Sequence, residues 1–126
     1  MAKSKKTKKI TRKKLASMAR TAKRKALADW SISVRNRDGN KCTICGRTEF
    51  IDAHHLIPKE RFKEYMFEIM NGISLCKKHH KFADYSFHRH PFWSVIWLKN
   101  NRPDQFNWVV DRIPLDEPNI SSSSSG

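Results

Sequence analysis

Two pairs of soft donors, Cys42-x-x-Cys45 and Cys76-x-x-His79, have the spacing with which a tight turn brings two ligands to one tetrahedral ion. Together they make a Cys3His zinc site that joins two distant stretches of chain. A staple of this kind suits a chain of 126 residues with only 38% hydrophobic side chains, whose core by itself has little reserve. Three cysteines cannot pair off evenly, and nothing resembles a secretory leader. No apolar run approaches the roughly 18 residues that span a bilayer. These features predict a cytoplasmic, reduced protein without membrane contact, its thiols free for metal.

Five histidines fall outside that shell, and three of them, His54, His55 and His80, have the placement for chemistry. His54 and His55 are adjacent on an expected strand, so their side chains point to opposite sides and cannot share one role. His80 follows the zinc ligand His79, and on a helix its ring turns about 100° away from the zinc site. His80 and one of the strand histidines can then hold a second metal. The other is left unmetallated, suited to general base work near neutral pH. Asp84 reads as an ordinary solvated acid, and His88 and His90, in an aromatic-rich segment, are given no role.

The elements that must position these residues are short. Phe50 to Ile57 reads as a strand stopped by Pro58, and Gly72 to Leu75 as a second. Between them, Phe62, Tyr65, Met66 and Ile69 have helical spacing over Arg61 to Met70. A helix is expected from Cys76 to about Tyr85, and two more between Pro91 and Val110, split before Pro103. The aromatic residues there (Phe92, Trp93, Trp97, Phe106, Trp108) read as core rather than as platforms for bases. Ahead of the strands, Thr11 to Arg37 is helical, with Leu15, Met18, Ala19, Ala22, Ala26, Leu27 and Trp30 on one face expected to dock on the domain. Asp38-Gly39-Asn40 breaks that helix.

Charge is concentrated at one end. The first 25 residues hold twelve of the 26 lysines and arginines and none of the acids, so a cationic arm precedes a nearly neutral remainder. Such an arm suits a phosphate backbone, with Lys5, Lys6, Lys8, Lys9, Arg12, Lys13, Lys14, Arg20, Lys23 and Arg24 as its contacts. The chain divides into a disordered basic arm (1–11), a basic amphipathic helix (12–37), a catalytic domain with an aromatic-rich helical extension (38–112) and a disordered serine-rich tail (113–126).

The stretches Cys42-Thr43-Ile44-Cys45-Gly46, Asp52-Ala53-His54-His55-Leu56-Ile57-Pro58 and Asn71-Gly72-Ile73-Ser74-Leu75-Cys76-Lys77-Lys78-His79-His80 resemble, in order and spacing, the HNH endonuclease family, including its phage and mobile-element members. One departure is that His79 stands where a fourth cysteine is usual. The resemblance implies an α+β fold, the zinc-stapled ββα-metal finger, flanked here by the N-terminal basic helix and C-terminal short helices. It also implies roles: His54 and His80 as ligands of a catalytic divalent ion, His55 as general base and Asn71 as the residue that holds the base loop. The implied reaction is hydrolysis of DNA, double-stranded in the first instance, by a monomer or weak dimer. His55 activates water while Mg2+, Mn2+ or another divalent ion neutralises the phosphate and the leaving 3′ oxygen. The competing reading is a catalytically silent, zinc-finger-like module that only binds nucleic acid; it needs the Cys3His site and the arm but has no use for His54, His55, Asn71 and His80.

Overall fold

The computed structural model describes residues 9–114; Lys5, Lys6 and Lys8 of the basic arm, and 115–126 of the serine-rich tail, lie outside them. A long helix, α1 (Arg12–Arg37), begins where the Thr11 side chain accepts a hydrogen bond from Lys14 N at 3.1 Å, an N-cap. It ends at Asp38, after which Gly39 and Asn40 take left-handed backbone angles (φ +74° and +56°) that turn the chain away.

α1 does not dock along the face expected of it. Trp30 and Val34 are its buried residues, whereas Leu15 and Met18 are 52% and 50% exposed. The reason is length: at about 1.5 Å per residue α1 is about 39 Å long, and the five-residue strands against which it packs reach about 17 Å. Its C-terminal half covers the sheet and its N-terminal half extends beyond it.

The sheet consists of β1 (Ile51–His55) and β2 (Gly72–Cys76), antiparallel, with Ile51 opposite Cys76, His54 opposite Ile73 and His55 opposite Gly72. The segment between the strands is not an α-helix. It contains two single 3-10 turns, Lys63–Tyr65 and Ile69–Asn71, and of the four helically spaced residues Met66 alone is buried. The segment must cross back from the end of one strand to the start of the next, and short turns achieve this where a helix would carry the chain too far. After β2, one wide turn (Lys78–Phe82) closes with Ala83 N on Lys78 O at 2.8 Å. The helix expected to reach Tyr85 stops there, because the carbonyls of His79 and His80 accept from Phe87 N and His88 N of the following loop.

Two helices complete the fold, α2 (Pro91–Asn101) and α3 (Pro103–Arg112), each with proline in its first turn, where no amide donor is needed. Cys42, Ile73, Leu75, Cys76, Phe87 and Leu98 form the central core, with Trp93, Trp97 and Phe106 packed against it. Phe92, read as core from its spacing, is instead 74% exposed. Asp38 ties the layers together: its carboxylate accepts from Ser74 N of β2, from Arg37 of α1 and from Arg102 before α3. Burial by itself would raise the Asp38 pKa, but these donors outweigh it and hold the group below the usual carboxylate value.

Candidate active site

The turn that carries Cys42 and Cys45 is built by Cys42 N on Arg47 O and Gly46 N on Cys42 O, with Gly46 at φ +76°. Thr43 fixes it to β2 through its amide and hydroxyl, both on Ser74 O. Cys76 ends β2 and His79 lies in the wide turn. The four donor atoms lie within 4.8 Å of one another. Cys45 Sγ and Cys76 Sγ are 3.8 Å apart, and His79 Nδ1 is 3.3 Å from Cys76 Sγ and 3.7 Å from Cys42 Sγ. A tetrahedral ion with Zn–S of about 2.3 Å and Zn–N of about 2.05 Å requires about 3.8 Å between sulfurs and about 3.5 Å from sulfur to nitrogen. The group therefore fits a zinc site. Burial would raise the Cys42 thiol, but backbone amides of Cys76, Cys45 and Ile44 aimed at its sulfur lower it. Cys76 is raised, by burial and by the adjacent Cys42 charge, a conflict that a divalent cation among the sulfurs removes.

A second cluster forms around His54 of β1, His80 of the wide turn and His88 of the loop after it. His54 and His55 diverge from the end of β1. The ring of His54 stands edge-on to Phe87, His80 and His88, whereas that of His55 stacks on Trp30 of α1. His80 Nε2 lies 3.1 Å from His54 Nδ1 and 3.0 Å from His88 Nε2. With metal–nitrogen distances of about 2.1 Å, ligands at 90° sit about 3.0 Å apart and tetrahedral ones about 3.4 Å, so three nitrogens at this spacing fit one shared ion. Burial, with the nearby His80, His88 and His55, pushes His54 down to about 3, so its imidazole is neutral and able to donate a lone pair at physiological pH.

His80 is oriented from behind. Its Nδ1 bonds Asp52 Oδ2 at 3.1 Å, and Asp52 Oδ1 is held by Lys77 Nζ at 2.5 Å. A carboxylate behind a ligating histidine fixes the tautomer and turns Nε2 toward the metal. Despite burial, Lys77 and His80 keep Asp52 below the ordinary carboxylate pKa, so it is ionised in this role. His55 is held by Met66 O, 2.9 Å from its Nε2, which leaves Nδ1 to accept a proton. Its pKa is lowered by burial, against the raising effect of the Met66 carbonyl. Asn71 is fully buried: its Oδ1 accepts from Ile57 N at 2.6 Å and its Nδ2 donates to the carbonyls of Ile57 and Tyr65. It clamps the segment after β1 to the segment that carries the Met66 carbonyl.

Ala53, His54, His55, Pro58, Lys59, Glu60, His80, Lys81 and His88 line one cleft of about 330 Å3. Sequence reasoning gave no role in the site to His88, which lines this cleft, or to Asp52 and Trp30, which contact His80 and His55 from outside it. His88 is eight positions beyond His80, off any helical face, and arrives because its amide bonds the His80 carbonyl. The run of histidines from 88 to 90 was the available signal, and its other member has a different task, since His90 Nδ1 accepts from Trp93 N at the start of α2. Asp84 pairs with Arg89 in solvent. Of the basic residues assigned to the arm, Lys9, Arg12, Lys13, Lys14, Arg20, Lys23 and Arg24 are exposed, at or before the half of α1 that overhangs the sheet.

No curated protein and no solved structure matches the chain significantly. Residues 42–88 match the model of one protein family, described as HNH endonuclease. That interval runs from the first thiol of the zinc site to the third nitrogen of the histidine cluster, and with both sites assembled on one antiparallel strand pair this segment belongs to the HNH endonuclease family.

Proposed function

We propose that the chain is a metal-dependent endonuclease that hydrolyses phosphodiester bonds of double-stranded DNA. The observation that carries this reading is that His55, with Nε2 bonded to a carbonyl, and the three converging nitrogens of His54, His80 and His88 open onto one cleft bordered by Lys59 and Lys81. His54, His80 and His88 would hold a divalent ion there, Mg2+, Mn2+ or another that imidazole accepts, which would supply neutralising charge to the phosphate and the leaving 3′ oxygen. His55 Nδ1 removes the proton from the water that attacks phosphorus in line. Asp52 keeps His80 turned to the cleft, Asn71 keeps the Met66 carbonyl in reach of His55, and Lys59 and Lys81 attract the backbone. The Cys3His group takes structural zinc, which requires reduced thiols and so a cytoplasmic setting. The basic arm and the exposed half of α1 add contacts to phosphates further along the duplex, giving salt-sensitive affinity. One site cuts one strand, so a monomer nicks, and a double-strand break needs a weak dimer or two events.

The test uses the full chain on supercoiled plasmid with Mg2+ or Mn2+. Wild-type protein should relax the plasmid, and His55→Ala should bind it equally while cutting about 10²- to 10⁴-fold more slowly, the usual worth of a positioned base. A His55→Ala protein as fast as wild type removes His55 from this role. If the wild type retards DNA but cuts with none of Mg2+, Mn2+, Co2+, Ni2+ and Zn2+, the chain is a binding module.

A further inference from the structure

We propose that Trp30, on α1 and outside the segment that matches the family, is a positioning residue for His55, so that α1 acts on the active site through that ring as well as carrying basic side chains. The proposal rests on the reading of His55 as general base. The two rings are parallel to within 10° with centroids 3.8 Å apart. Trp30 is only 5% exposed, and its indole N–H donates to Glu68 O at 2.7 Å, so the ring is fixed at its edge as well as by packing.

The geometry requires both constraints on His55. A single hydrogen bond from Nε2 to Met66 O sets the distance but leaves the imidazole free to pivot about that axis. The indole face removes this freedom and fixes the ring plane, which sets where Nδ1 aims. A base misplaced by about 1 Å can lose on the order of 10²-fold in rate, so control of one torsion is worth a tryptophan-sized surface at this point. The strand opposite His55 is shaped for the same contact. Gly72 is its register partner, and a Cβ there would lie 2.4 Å from Val34 Cγ2 and 2.7 Å from Trp30 Cζ2. Only glycine lets α1 approach closely enough to place the indole over His55.

The experiment pairs substitutions at Trp30 with His55→Ala in the full, zinc-loaded chain. Trp30→Leu removes the flat face, and Trp30→Phe keeps an aromatic surface while deleting the bond to Glu68 O. Expected for Trp30→Leu is a fall in kcat of about 10- to 100-fold with KM for DNA within about twofold, and recovery of most of that loss in Trp30→Phe. In the His55→Ala background Trp30→Leu should change the residual rate by less than about twofold, because its effect passes through the missing ring. A folded Trp30→Leu protein with wild-type kcat overturns the proposal, and so does an equal loss in both backgrounds. If Trp30→Leu does not fold, Trp30→Phe and the same cycle decide it. NMR of the His55 ring protons gives a readout that needs no turnover: they should be shifted upfield by the indole in the wild type and released in Trp30→Leu. Absence of that shift overturns the stack itself, whereas its presence in a protein that cuts nothing leaves the stack standing and removes the nuclease reading instead.

Discussion

His80 has more neighbours than one imidazole can serve. Its Nδ1–H is committed to Asp52, which leaves a single in-plane lone pair at Nε2, yet ring nitrogens of both His54 and His88 approach that atom. Two N–H donors cannot share one lone pair well, and the shared acceptor, His80, is buried. A cation accepting all three lone pairs would resolve the conflict, and on the proposed reading His88 is then a ligand equal in standing to the other two. His88→Ala should therefore raise the Mn2+ concentration needed for half-saturation by about 10- to 100-fold, the scale on which perturbing a metal site's supporting groups acts. Titration followed by electron paramagnetic resonance, with the Cys3His site kept loaded with zinc, reads this directly. Unchanged Mn2+ affinity would take His88 out of the site.

At the scale of elements, the junction between α1 and β2 decides whether His55 and the sheet stay in register. Gly72 lies beneath Trp30 and Val34 with no room for a methyl group, and its carbonyl is bonded by Arg37 and Gln105. Gly72→Ala must push α1 off the sheet or distort β2 beside His55. Overpacking of this kind costs typically about 1–3 kcal/mol. Urea denaturation of the zinc-loaded protein should show that loss, together with a lower cleavage rate, since the displaced indole no longer holds the His55 ring. Wild-type stability in Gly72→Ala would mean that α1 does not pack as closely as this contact requires.

For the whole molecule, the two metal groups differ in what they support. The Cys3His group joins the turn after α1, the end of β2 and the wide turn beyond it, and Cys42 and Cys76 belong to the hydrophobic core itself. Removing its ion should unfold the chain rather than merely silence it. Cys45→Ser, or chelation of the wild type, should lower the melting temperature by about 10 °C or more, equivalent to roughly 2 kcal/mol at about 4–8 °C per kcal/mol for a domain of this size. Elemental analysis should fall from about one zinc per chain to none in parallel. A melting curve indifferent to both treatments would mean that the core holds without the staple. Among the described residues no helix is long and apolar enough to cross a membrane.

Local chemistry was legible from the residues alone. The Cys-x-x-Cys and Cys-x-x-His spacings, the paired histidines before Pro58 and the asymmetric charge follow from short-range geometry and composition, so the zinc-site ligands, the strand pair and the helix split at Pro103 could be read without coordinates. What depends on distant parts of the chain could not. Helical periodicity over Arg61 to Met70 was overridden because the segment has to return to β2, and the helix after Cys76 stopped early because loop amides took its carbonyls. Trp30 reaches His55 across 25 positions, and His88 reaches His80 through a backbone bond between a turn and a loop. Neither pairing leaves a periodic trace in sequence, because each depends on the path of intervening backbone. Sequence thus determined which atoms are able to ligate metal and accept protons; tertiary packing alone decided which of them converge, since convergence is set by how α1 and the loop before α2 close over a two-stranded sheet.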